Sequence, residues 1–324
     1  MWFDILWLIV GLVLILVGAN YLVDGASALA KRFGISDMVI GLTVVAFGTS
    51  SPELFISGIS AWNGSAGLAV GNVIGSNIFN ILVIIGITSI VRPIKVERSN
   101  LTREIPLVIL STLALVFIGL DTTLSGSREN VISLGDGLIL LLFFTIFMRY
   151  TFTQAHNGDI GKENEKVKDL PLWKSLIFVV GGLAGLIFGG EWFVKGASGV
   201  AADLGVSEAV IGLTIVAFGT SVPELATSIV AALKGRQAMA VGNVVGSCLF
   251  NVFFVLGCSA LISPLHLEGI GLVDIGVLLL ASLLFWLFGQ FYKERTFSRP
   301  EGVIMTLIYI GYITYLVLNV KKIA

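Results

Sequence analysis

Apolar residues dominate ten stretches of the chain, at 3–28, 37–61, 67–91, 104–120, 134–152, 173–199, 208–233, 238–262, 271–290 and 302–320, with mostly short polar connections between them. A hydrocarbon core about 30 Å thick takes about 20 apolar residues per helical crossing. The pattern therefore predicts an all-α membrane protein with ten transmembrane helices. One long polar stretch, TQAHNGDIGKENEKVKDLPL at 153–172, reads as a flexible linker. It divides the chain into 1–152 and 173–324, with five predicted helices on each side.

The two parts are copies of one unit. Residues 36–86 and 207–257 align without a gap at an offset of 171 and agree at 28 of 51 positions. The register extends outward through Gly18, Val23, Gly25, Ala26 and Ser27, which match Gly189, Val194, Gly196, Ala197 and Ser198, and through Pro93, which matches Pro264. Five crossings per copy turn the second copy upside down in the bilayer. Inverted repeats of this kind place substrate sites near the midplane between the halves, so the symmetry predicts transport. The match of residues 18–27 to an internal segment also argues against reading the first apolar stretch as a cleaved signal peptide.

Composition narrows the function classes. Only 13% of the 324 residues are charged and 56% are hydrophobic, against about 25% charged in soluble domains. A net charge of -1 with scattered basic residues argues against a nucleic-acid partner. Lysine and arginine are distributed four to sixteen between the two sets of connections. The positive-inside rule then places both termini outside the cytoplasm, in the cell's inner (plasma) membrane, with the 153–172 linker inside. Cys248 and Cys258 lie in one apolar stretch and read as reduced core thiols.

Candidate chemistry is concentrated in the repeat. Glu53 and Glu224 sit in GTSSPE and GTSVPE, near the middle of predicted spans, where an ionised carboxylate is expensive and marks a pathway. On a continuous helix, Thr49, Ser50 and Glu53 share a face, as do Thr220, Ser221 and Glu224. Pro52 and Pro223 cannot donate to the carbonyl four residues earlier and so loosen the helix, and Gly48 and Gly219 ease the bend. In the next span, GNVIGSNIFN sets Ser76 and Asn80 four apart, and GNVVGSCLFN does so with Ser247 and Asn251. Gly71, Gly75, Gly242 and Gly246 would permit close helix approach. These are all oxygen donors, and hard oxygen donors select hard cations, Ca2+ or Na+. The two histidines, His156 and His266, are expected in loops, away from the site.

The motifs resemble those of the sodium/calcium exchanger family of the calcium/cation antiporter superfamily, in a prokaryotic-type member, over nearly the whole chain. The resemblance implies a secondary active antiporter that exchanges Na+ for Ca2+ by alternating access, with three Na+ per Ca2+ and net charge movement. It implies that Glu53 and Glu224 are central ligands, that Thr49, Ser50, Ser76, Asn80, Thr220, Ser221, Ser247 and Asn251 complete the cation sites, and that the carbonyls of Ala46 and Ala217 contribute. It also implies that the first and sixth helices slide across the rest. Asn251 stands where potassium-dependent exchangers and some archaeal members have Asp, which speaks against potassium co-transport. Proton-coupled relatives typically carry GN-x-x-E in place of GTS-x-PE.

The alternative is Ca2+/H+ antiport, because buried carboxylates can carry protons. An intramembrane enzyme using the Glu pair as acid and base is disfavoured, since nothing resembles a nucleophile, metal triad or cofactor cradle. The expected partners are therefore Na+, Ca2+ and the lipid bilayer. No cofactor is expected, and a monomer is expected to suffice.

Overall fold

The computed structural model describes residues 2–124, 126, 129–157, 169–204, 217–267, 269–291 and 295–323. Its main helices are α1 (Trp2–Phe33), α2 (Asp37–Thr49), α3 (Ser51–Trp62), α4 (Ala66–Val91), α5 (Glu104–Gly119), α6 (Leu134–Asn157), α7 (Leu172–Asp203), α8 (Val222–Leu233), α9 (Gln237–Ile262), α10 (Leu272–Phe291) and α11 (Arg299–Ile323). Among the described residues, eight helices are long and apolar enough to cross a membrane, and nine if α2 and α3 count as one bent span. The chain is thus a multi-span, all-helical membrane protein. Helix α8 lies in the predicted span 208–233, of which residues 217–233 are described.

Several helices outrun their predicted apolar stretches, because the helical hydrogen-bond ladder continues past the apolar run. Helix α1 reaches Phe33, and α6 continues to Asn157. His156 therefore lies in the last turn of α6 and not in a loop, while His266 lies in a two-residue strand. Most of the 153–172 linker falls outside the described residues.

Burial separates the helices into two classes. In α4 and α9, 83% and 78% of the most apolar window is buried, against 22–39% for the other six long spans. The repeated GN-x-x-GS helices are therefore the centre of the molecule. The remaining spans keep one face for lipid, as the exposed Leu6, Leu142, Phe188 and Leu307 show.

Helices α1 and α7 pack backbone against backbone. Gly11, Gly18 and Gly25 recur every seven residues on α1, and Gly182, Gly189 and Gly196 do so on α7. A Cβ on Gly18 would fall 2.8 Å from the Gly182 carbonyl oxygen, and one on Gly189 would fall 2.9 Å from that of Gly11. Only glycine allows such an approach, and in lipid close packing is what drives helix association. Trp7 and Trp192 meet edge to face at 4.9 Å beside this seam.

Two short antiparallel ladders also tie the halves together. Strand β1 (Ile94–Lys95) pairs with β4 (Thr296–Phe297), and β2 (Val131–Ile132) pairs with β3 (Leu265–His266).

Candidate functional site

Glu53 and Glu224 each occupy the first turn of a short helix that begins at a helix break. Ser50 (φ -87°, ψ 10°) and Ser221 (φ -93°, ψ 4°) leave helical geometry at equivalent positions. Pro52 and Pro223 follow at the helix starts, where a missing N–H costs nothing. The axes of α2 and α3 differ by 46°. Pro52 deprives the Gly48 carbonyl of its helical donor, and the Ser51 hydroxyl takes that place at 2.9 Å.

This break corrects the expectation of one shared helix face. Thr49 ends α2, Glu53 begins α3, and the hydroxyls do not serve the carboxylate of their own motif. Ser50 Oγ donates to Glu224 Oε1 at 2.8 Å, and Ser221 Oγ donates to Glu53 Oε1 at 3.4 Å. Thr49 Oγ1 also reaches across the repeats, to Asn243 Oδ1 at 3.3 Å, while Thr220 Oγ1 has no hydrogen-bond partner among the described residues. Each acid is thus held by the opposite repeat. Ser76, from α4, adds a bond to Glu53 Oε1 at 3.4 Å.

Helices α4 and α9 carry the two predicted amides. Both contain a π-helical turn, Asn80–Ile85 and Phe250–Val255, in which Asn80 and Asn251 lie. Such turns displace side chains from the regular helical register and recur at functional sites. Gly242 and Gly246 let α9 touch α2: Cβ atoms there would fall 2.6 Å from the Met38 carbonyl oxygen and 2.7 Å from that of Leu42. Gly71 and Gly75 show no comparably tight backbone contact among the described residues.

Of the predicted residues, Glu53, Glu224, Asn80, Asn251, Thr49, Ser50, Ser221, Ser76 and Ser247 are buried and Thr220 is half-exposed; hydrogen bonds join Ser50 to Glu224, and Ser221 and Ser76 to Glu53. The Ala46 carbonyl accepts from the Ser50 amide at 2.9 Å and from Thr49 Oγ1 at 3.4 Å. In the second repeat the Ser221 amide goes to the Phe218 carbonyl at 3.1 Å.

Several buried oxygens have no hydrogen-bond partner among the described residues: Glu53 Oε2, Glu224 Oε2, Asn80 Oδ1, Asn251 Oδ1 and Ser247 Oγ. Among the described residues, no Lys or Arg pairs with either acid, and no three His, Cys, Asp or Glu side chains gather elsewhere. A cation at this point would find two carboxylates and a surplus of neutral oxygens.

A supporting layer went unnoticed in the sequence. Asn72 Nδ2 donates to the Glu53 carbonyl at 3.4 Å and to Ser57 Oγ at 3.0 Å. Asn243 Nδ2 does the same to the Glu224 carbonyl at 3.3 Å and to Ser228 Oγ at 3.0 Å. The signal was available, since Asn72 and Ser57 are identical to Asn243 and Ser228 across the repeat.

The family model described as sodium/calcium exchanger protein matches residues 3–153 and 174–318. The CaxA protein of Alkalimonas amylolytica is 39% identical over 318 residues, covering 95% of this chain and 96% of its own. The sodium/calcium exchanger MaX1 of Methanosarcina acetivorans is 31% identical, covering 97% and 98%. A solved structure of the sodium-calcium exchanger NCX_Mj, soaked with Na+ and Sr2+, superposes with a TM-score of 0.82 at 34% identity, covering 96% of this chain and 97% of that one. With nearly its whole length matched, the chain belongs to the sodium/calcium exchanger protein family.

Proposed function

We propose that the protein is an alternating-access antiporter that moves several Na+, three by the family resemblance, against one Ca2+. Its ten helices form two inverted five-helix repeats, 1–152 and 173–324, joined by a cytoplasmic linker. It works as a monomer in the plasma membrane with both termini outside. The ions bind at Glu53 and Glu224, with Thr49, Ser50, Ser76, Asn80, Thr220, Ser221, Ser247, Asn251 and the Ala46 and Ala217 carbonyls as further ligands.

The observation that carries this reading is the reciprocal bridging of two buried carboxylates that each retain an unpartnered oxygen. Burying one carboxylate costs several kcal/mol even after relaxation, while a hydrogen bond to a charged group returns about 1.5–3 kcal/mol. The hydroxyls therefore leave a deficit, and a cation shared by both acids offsets it. Calcium accepts six to eight oxygens in flexible geometry, which suits two carboxylates among neutral donors. Sodium uses the same donor types, so the two ions compete for one cluster. Without cations the two charges repel in low dielectric, and the moving helices do not cross; obligatory exchange follows. If three Na+ move against one Ca2+, one net charge crosses per cycle, and the membrane potential contributes about 2.3 kcal/mol per 100 mV.

The test is flux in proteoliposomes loaded with Ca2+. External Na+ should release Ca2+, and a negative-inside potential should accelerate the release, because one net positive charge enters per cycle. E53Q and E224Q should abolish it while still inserting. Release driven by a pH gradient without Na+ would replace this reading with Ca2+/H+ antiport.

A further inference from the structure

Cys248 and Asn77 occupy equivalent repeat positions, and each faces an amide of the opposite half. Asn77 Nδ2 donates to the Cys248 carbonyl at 3.1 Å, and Asn251 Nδ2 donates to Asn77 Oδ1 at 3.1 Å. On the other side of the pseudo-symmetry the Asn80 amide faces the Cys248 thiol. All four side chains are buried.

The relay has a fixed polarity. A backbone carbonyl can only accept, so Asn77 must turn its NH2 toward Cys248 and its oxygen toward Asn251. Asn251 must then present its own NH2 to Asn77. Its Oδ1 is left over, buried and without a partner among the described residues. In this way an unambiguous backbone atom decides which end of a distant amide is free. The distinction matters because an amide binds a cation through oxygen and repels it through NH2. In the other half the equivalent anchor is a sulfur, a weaker acceptor than an amide oxygen, so Asn80 is held less firmly than Asn251.

We infer that Asn77 is a positioning residue for the cation site, orienting the Asn251 amide so that its oxygen is available to the transported ion. This rests on the exchanger reading above, which supplies the ion. Asn77 acts through Asn251, whose amide donates to its oxygen at 3.1 Å.

A double substitution separates positioning from simple structural support. Removing Asn77 frees the Asn251 amide to rotate, whereas a carboxylate at position 251 has two oxygens and no wrong orientation. Equilibrium Ca2+ binding to the purified full-length protein is measured for the parent, N77A, N251D and N77A/N251D, with maximal exchange rates in proteoliposomes alongside. Asn77→Ala is expected to weaken Ca2+ binding about tenfold in the parent, the scale of losing one oriented hydrogen bond, with the maximal rate unchanged. In the N251D chain the same substitution should leave binding unchanged or tighten it, because it removes an amide oxygen that faces the new carboxylate. Equal weakening in both chains, or no weakening in the parent, overturns the positioning role. The comparison of N251D with N77A/N251D decides the matter even if N77A alone cannot be purified. A parent chain that binds no Ca2+ overturns the exchanger reading itself, an outcome distinct from a parent that binds and a variant that behaves like it.

Discussion

Ser50 Oγ stands 2.8 Å from Glu224 Oε1, whereas its repeat counterpart Ser221 Oγ stands 3.4 Å from Glu53 Oε1. The sequence repeat is thus only approximately a structural one. The shorter contact is a charge-assisted hydrogen bond of good geometry, while Glu53 divides its oxygen between two longer contacts, to Ser221 and Ser76. Two acids with the same sequence context are held unequally.

Ser50→Ala and Ser221→Ala should therefore differ. Losing a hydrogen bond to a charged group costs about 1.5–3 kcal/mol, so S50A should weaken apparent Ca2+ affinity more than tenfold. S221A should cost less, because Ser76 still reaches Glu53. Concentration dependence of Na+-driven Ca2+ flux in proteoliposomes gives both numbers; equal losses would contradict the asymmetry.

Cation binding should stabilise the fold. A ligand at about 100 times its dissociation constant adds about 2.7 kcal/mol, which is worth several degrees in melting temperature for a chain of this size. Thermal unfolding in detergent should shift upward with Ca2+ and return when the ion is chelated. In E53Q and E224Q the shift should vanish, whatever their basal melting temperature.

Asp37, at the start of α2, forms an ion pair with Arg236, ahead of α9, at 3.3 Å, and both side chains are buried. Their repeat counterparts are Glu208 and Ser65, so this link exists between α2 and α9 without an equivalent cation on the opposite side. Removing one member of a buried pair costs about 3–5 kcal/mol, while replacing both with apolar residues is often neutral. R236M should lower the melting temperature markedly and D37L/R236M should restore much of it. A double substitution as damaging as the single one would show that the charges matter independently.

The α1–α7 seam makes a steric prediction. Gly18→Ala places a methyl group 2.8 Å from the Gly182 carbonyl oxygen, and overpacking of this kind costs about 1–3 kcal/mol. Gly311→Ala, on α11, meets nothing within 4 Å and should be tolerated. Folded yield and melting temperature of the two variants in detergent provide the comparison, and equal tolerance would show that the seam can open without cost.

The sequence by itself determined the class of molecule. Apolar runs of bilayer length, low charge and an ungapped internal repeat sufficed for a multi-span helical membrane protein. The symmetric placement of Glu53 and Glu224 sufficed to locate the candidate site, because carboxylates within apolar runs and Pro after GTS have few other physical explanations. Asn72, Asn243, Ser57 and Ser228 were also written in the repeat, yet their partners are backbone carbonyls and hydroxyls that no spacing rule identifies.

Only the tertiary structure decided who serves whom. Helical spacing suggested that Ser50 would attend Glu53, but the break at Ser50 and Pro52 turns that hydroxyl toward Glu224 in the other repeat. The role of Asn77 depends on a carbonyl 171 residues away. Spacing along a helix fixes which residues share a face, whereas contacts across two helices depend on how glycines and broken turns let their backbones approach, and that is a property of the packed molecule.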